Sequence, residues 1–230
     1  MKSIFMAAIA GAVLLGLATA PASAAAITFG SGAGANSFPF GDSNYLGEYQ
    51  QVYDGSLFSG SVNITQLTFF AGPGFPFDKI SGNYTLHLST TAAGVGSLST
   101  VYANNIGADN SLFFSGTVSN VLSFTGTPFL FDPTQGNLLL DVFVNTSNST
   151  RSRFAAGCST QINRVFNFFG NSASYGIGGS PGQCTPNSYG LQTQITFTPA
   201  AVPEPLTLSL FGAGAAGLAA LRRRKMAKAG

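Results

Sequence analysis

Tryptophan is absent from this chain of 230 residues, histidine occurs once, cysteine twice, and charged side chains make up only 8%. Each scarcity narrows the function. The single histidine, His87, leaves little for acid–base chemistry. Gly178-Gly179-Ser180-Pro181-Gly182 does spell the G-x-S-x-G of a nucleophile elbow. Such an elbow needs a strand before the serine, a helix after it and a histidine later in the chain. Here Pro181 follows the serine, the surroundings are glycine-rich and His87 comes first, so the spacing does not point to a serine hydrolase. Neither cysteine has a second ligand type nearby, which removes the basis for a zinc site or a catalytic thiol. The reading is of a non-enzyme without cofactor or metal.

The net charge of +2 belongs to the ends. Lys2, Arg222, Arg223, Arg224, Lys225 and Lys228 supply it, offset by Glu204. Between Ala25 and Ala201, Lys79, Arg151, Arg153 and Arg164 face seven acidic residues, a net of −3. So sparse and mildly acidic a body offers no footprint for a phosphate backbone, and nucleic acid is not an expected partner.

Both ends carry addresses. Lys2, an apolar stretch from Ile4 to Ala20 and the small-residue site Ala22-Ser23-Ala24 have the anatomy of a secretory signal peptide over residues 1–24, with cleavage between Ala24 and Ala25. At the other end Val202-Pro203-Glu204-Pro205 precedes an uncharged run over 206–221 and then Arg222-Arg223-Arg224. The prolines forbid a helix before about Leu206. Sixteen helical residues reach roughly 24 Å, against about 30 Å of hydrocarbon core, so the run spans only marginally. The arginines stay on the cytoplasmic side and leave the body outside.

The order of these parts over residues 202–230 resembles the PEP-CTERM sorting signal of exported bacterial proteins. The resemblance implies recognition by an exosortase, a membrane-embedded cysteine transpeptidase-like enzyme, with removal of the tail. It also implies an inner-membrane-anchored intermediate, then the cell surface or secreted matrix of a Gram-negative bacterium that makes exopolysaccharide and biofilm. Tyr49-Gln50-Gln51-Val52-Tyr53 and Phe129-Leu130-Phe131-Asp132-Pro133 also look like body segments of such surface proteins, without an activity attached.

Residues 25–201 alternate with a period of two. Tyr84, Leu86 and Leu88 interleave with Thr85, His87 and Ser89, and Leu138, Leu140, Val142 and Val144 with Leu139, Asp141 and Phe143. Gly, Pro, Asn and Ser clusters separate the runs. Strands are predicted near 26–29, 47–54, 62–71, 83–90, 111–116, 117–125, 137–146, 162–169 and 190–198. No fixed repeat is present, so a solenoid is excluded. The fold class is all-β, a single two-sheet antiparallel β-sandwich domain, jelly-roll-like.

Twenty-one phenylalanines form the apolar stock. Pairs such as Phe69-Phe70 and Phe113-Phe114 put one ring on each face of a strand, a pattern that suits loops covering both faces better than an aromatic binding surface. Cys158 and Cys184, the only cysteines, are expected to form a disulfide in an exported chain. Asp42, Asn44, Glu48 and Asp54 have oxygen donors but no fixed calcium-ligand spacing, and read as a solvated acidic loop. The body carboxylates are scattered and point to no glycosidase pair. The sequence therefore reads as an exosortase-sorted structural or adhesive surface protein associated with exopolysaccharide. The alternatives are a dedicated carbohydrate-binding module and, more remotely, a secreted glycan-active enzyme.

Overall fold

The computed structural model describes residues 23–75, 78–167, 175–177, 184 and 188–200, and these are built of antiparallel strands. In chain order they are β1 (Ala25–Phe29), β2 (Gly34–Asn36), β3 (Gly47–Tyr53), β4 (Val62–Phe69), β5 (Ile80–Thr91), β6 (Ser111–Val121), β7 (Ser123–Phe131), β8 (Asn137–Ser147), β9 (Phe154–Cys158), β10 (Ile162–Phe166), β11 (Tyr175–Ile177), β12 (Tyr189–Leu191) and β13 (Thr193–Pro199). One sheet has the order β1-β13-β4-β7 and a second the order β11-β10-β3-β8-β5-β6. A third, short sheet, β12-β9-β2, stands beyond the two-sheet expectation. Its strands are rich in Gly and Ala, so β2 and β9 show no apolar alternation to read. The strand expected over 190–198 is broken at Gln192, whose N–H goes to Ala155 O at 2.8 Å and turns β12 away from β13. The boundary expected between 116 and 117 falls instead at Leu122, and β7 runs on to Phe131.

The core lies between the four- and six-stranded sheets. Phe29, Ile64, Leu67, Phe69, Phe124, Phe131 and Ile195 from one meet Tyr53, Tyr84, Leu86, Leu88, Leu138, Leu140 and Val142 from the other, all buried. Phe40, from the loop between β2 and β3, is wedged between the layers, with ring centroids 4.8 Å from Phe69, 5.4 Å from Tyr84, 5.7 Å from Phe124 and 5.9 Å from Phe154. The Phe pairs split as their alternation requires. Phe69 and Phe113 are buried, while Phe70 and Phe114 are half-buried.

Gln51 ties the third sheet to the core. Its side-chain amide donates to Leu191 O at 3.0 Å and accepts from Leu191 N at 2.8 Å, copying a β-ladder pair with a side chain. Arg164, also buried, donates to Asn36 Oδ1 at 3.0 Å and lies between the rings of Phe166 and Tyr189, 4.9 and 4.6 Å from their centroids. These contacts replace the water that a buried guanidinium loses.

Strand direction gives the body two distinct ends. Ala25 pairs with Phe197, Val62 with both Pro199 and Phe131. The first and last strands therefore start and finish at one end of the four-stranded sheet. Phe58 packs there against Phe131 and Phe197. Tyr84, Phe40 and Phe69 mark the opposite end.

Candidate functional site

The outer face of the six-stranded sheet is half covered and half open. On β3, Tyr49, Gln51 and Tyr53 turn to the core, and Glu48, Gln50 and Val52 turn out. On β8 the outward set is Leu139, Asp141 and Phe143, and on β5 it is Thr85, His87 and Ser89. The loop at 92–110, between β5 and β6, lies over one half. Its Leu98 is buried with Val52, Leu139 and Val165, and Ala93, Val95, Tyr102 and Ile106 pack around them. This apolar patch holds the loop by area. Polar contacts along its length fix its position: Asn137 Nδ2 donates to Ala93 O at 2.9 Å, Asn105 Nδ2 to Gln50 Oε1 at 2.9 Å, Gln50 Nε2 to Tyr102 O at 3.4 Å, Tyr102 Oη to Glu48 O at 3.4 Å, Gly107 N to Ser89 Oγ at 3.2 Å and Thr90 N to Asp109 Oδ1 at 2.7 Å.

A carboxyl pair sits where the cover ends. In register, Asp141 stands directly opposite Gln50 on one side and His87 on the other. Glu48 is the diagonal neighbour, within reach of a long side chain. Asp141 is 2% exposed, with the Gln50 side chain opposite it, and among the described residues neither of its oxygens has a hydrogen bond of good geometry. Gln50 gives its amide hydrogens to Glu48 Oε1, at 3.3 Å, and to Tyr102 O. Burial, and then the adjacent charge of Glu48, raise the Asp141 pKa to about 8. Burial raises the pKa of Glu48, and its interactions with Asp141 and Gln50 hold that rise back. Burial lowers the pKa of His87 and favours the neutral ring. Its Nδ1 is buried without a partner, and the ring stands edge-on to Phe143 at 5.9 Å.

Beyond this pair the sheet is open and uncharged. Asn145, at a bulge where β8 shifts register against β5, gives one amide hydrogen to Asn83 Oδ1 at 2.9 Å and the other to Thr85 Oγ1 at 3.0 Å. Asn83 Nδ2 continues the row to Thr117 Oγ1 at 3.0 Å, and Thr85 and Ser115 share a hydrogen at 3.4 Å. Beside the bulge Gly82, paired with Ser147, has φ +147°, and a Cβ there would strike Thr146 O and Ser147. With Phe143 half-buried beside it, this gives a platform of amides, hydroxyls and one ring face at the end of the body remote from Pro199.

The residues singled out in the sequence fare differently. Cys158 and Cys184 are bonded, with Cα atoms 5.5 Å apart. The acidic group does not assemble. Asp42 accepts from Asn44 within its own turn, Asp54 caps the 3-10 turn Gly55–Leu57 by accepting from Ser56 N, and Glu48 joins Asp141 instead. Among the described residues no three His, Cys, Asp or Glu side chains are grouped to hold a metal ion. His87 lies on the outward face, as alternation requires, but it is half-buried rather than a free surface residue because Phe143 and the sheet enclose it. The scattered carboxylates include one pair after all, brought together by strand register, a signal absent from local sequence. Ala24 and Ala25 are exposed, and β1 begins at Ala25. The G-x-S-x-G segment, the 206–221 run and Val202, Pro203, Glu204, Pro205, Arg222, Arg223 and Arg224 lie outside the described residues. Among the described residues no helix is long and apolar enough to cross a membrane.

The folded strands stop at Pro199, and the residues beyond it decide the address. The family model of the PEP-CTERM protein-sorting motif matches residues 201–225. The chain carries a PEP-CTERM sorting motif. The motif implies export and processing by an exosortase. Comparison of the chain with curated proteins and with solved structures finds no match. The PEP-CTERM motif begins two residues after β13 ends, so the folded body reaches almost to the sorting signal.

Proposed function

We propose that this PEP-CTERM protein is a non-catalytic, structural or adhesive component of the cell surface or extracellular matrix of a Gram-negative, biofilm-forming bacterium, and that its body associates with exopolysaccharide through the open half of the six-stranded sheet. We read the two large sheets as a jelly-roll-like sandwich and residues 1–24 as a cleaved signal peptide; the start of β1 at Ala25 supports the latter. One observation carries the functional reading: a neutral row of Asn83, Thr85, Asn145, Ser115 and Thr117 beside Phe143, on the end of the body away from the tail. Amides and hydroxyls exchange hydrogen bonds with sugar hydroxyls without a charge to desolvate. An aromatic face suits the C–H surface of a pyranose. A body tethered at Pro199 would present this platform outward.

The test is co-sedimentation of the mature protein with exopolysaccharide from a biofilm-forming host. Asn145→Ala combined with Phe143→Ala should reduce the bound fraction several-fold, and Leu130→Ser, on the four-stranded sheet, should not. Equal binding by all three proteins would remove the platform from consideration. Retention of one defined oligosaccharide alone would favour a dedicated carbohydrate-binding module, and its turnover an enzyme.

A further inference from the structure

We infer that the body binds a second copy of itself head to tail, the Phe75–Arg153 knob of one copy seating in a groove between β6 and β7 of the next. Neither surface belongs to the glycan platform. The groove, of about 400 Å³, has Asp109, Leu112, Pro128 and Leu130 in its walls. It lies at the Pro199 end, because β7 closes at Phe131 opposite Val62, which also pairs with Pro199. Leu112 and Leu130 are 51% and 60% exposed, and two large apolar side chains left open on one groove mark a contact surface. Asp109 uses Oδ1 to accept from Thr90 N at 2.7 Å, which leaves Oδ2 for a partner. The knob, at the opposite end, has the complementary chemistry. Phe75 is 37% exposed on the turn after β4, where its N–H goes to Gly72 O at 2.9 Å, and Gly72 N holds that turn to Arg153 O at 2.8 Å. The Arg153 guanidinium stands over the Phe75 ring, 5.1 Å from its centroid. Asp78 and Asp42, the carboxylates of this end, accept instead from Arg153 N and from Asn44. A ring with a guanidinium on its face is the kind of anchor that dominates protein interfaces.

Charge divides between the two ends in the same sense. Apart from buried Arg164, every cation of residues 25–201, namely Lys79, Arg151 and Arg153, lies at the end remote from Pro199. Three cations less Asp42 and Asp78 give that end a net +1, against −3 for Asp54, Asp109 and Asp132 at the Pro199 end. The segments between 25 and 199 that lie outside the described residues contain no Asp, Glu, Lys or Arg, so they leave this division unchanged. Loss of the signal peptide adds an amine and loss of the tail a carboxylate, of opposite sign. Unlike ends attract, so charge selects the direction of docking while the ring and the leucines supply the contact. The two surfaces differ and face opposite ways along the body, so the pairing does not close on itself, and each added copy offers the next a free groove. So small a contact is weak. It forms at the high local concentration of a surface layer and not in the dilute protein of a binding assay.

Sedimentation velocity of the mature protein over a range of concentrations tests this without any glycan present. The mean sedimentation coefficient should rise with concentration, and the rise should shrink between about 0.1 and 1 M salt, over which the screening length falls from about 10 to about 3 Å. Two double variants block opposite ends. Phe75→Ser with Arg153→Ser removes the knob. Asp109→Asn with Leu112→Ser spoils the groove, and the new amide oxygen still accepts from Thr90 N. Each variant alone should stay monomeric, yet an equimolar mixture should form a dimer and nothing larger, because one retains the groove and the other the knob. Should a double variant fail to fold, Arg153→Ser and Asp109→Asn singly should each weaken association about fivefold or more. A wild-type protein that is monomeric throughout, a folded double variant that associates as the wild type does, or a mixture that stays monomeric overturns the proposal.

Discussion

Phe40 tests how the two large sheets are held together. It sits in the loop before β3, where sequence alone would allow almost any residue, yet it is fully buried against rings from β4, β5, β7 and β9. Phe40→Ala removes a ring that no other side chain can replace. Both layers are anchored by hydrogen-bonded ladders and cannot collapse far into the space. The lost transfer energy and the cavity together cost about 3 to 5 kcal/mol. For a domain of this size each kcal/mol lowers Tm by roughly 2 to 4 °C, so a drop on the order of 6 to 20 °C is expected. Urea unfolding of the mature protein, followed by far-ultraviolet circular dichroism, would measure the free energy, and an unchanged m-value would show that the fold itself is kept. Leu130→Ala is the control, since Leu130 is 60% exposed and should change stability by no more than about 0.5 kcal/mol. A loss below about 1 kcal/mol for Phe40→Ala would refute the view that this loop plugs the core.

Stability, pH response and processing offer three more checks. Reducing the Cys158–Cys184 bond, or replacing both residues with Ser, should cost about 3.5 kcal/mol, the chain-entropy value for a loop of this length, measurable as a fall in urea midpoint. Global stability should decline as pH rises from about 4 towards 8. Unfolded Asp141 releases its proton near the usual carboxylate value while folded Asp141 keeps it until about 8; the contribution is full below the first value and gone above the second, with an upper bound of roughly 6 kcal/mol. Asp141→Asn should flatten that profile, and an unchanged slope in the variant would assign the pH dependence elsewhere. Finally, intact mass of the extracellular form should correspond to a chain starting near Ala25 and lacking Arg222, Arg223 and Arg224, and changing those three arginines to Ser should slow tail removal; released protein that retains the arginines would contradict exosortase processing.

What the sequence determined by itself was local. Alternation along 84–89 and 138–144 set which side chains point inward, because a strand's side-chain period is two whatever its partners are. Proline and glycine marked the turns through their own dihedral limits. The PEP-CTERM signal is read as a linear string, so its residues could be named without a fold. Tertiary structure decided everything that depends on register. Glu48 and Asp141 are unremarkable singly, and only the pairing of β3 with β8 makes them diagonal neighbours. Val52, Leu139 and Val165 look like ordinary outward positions until Leu98 covers them. Phe40 looks like a loop residue until two sheets close on it. The strands of the third sheet, rich in Gly and Ala, gave no period to read, since their place is set by close backbone approach to neighbours distant in sequence. Contacts between distant residues leave no mark in the local pattern of either partner, and that is why the site emerged only with the fold.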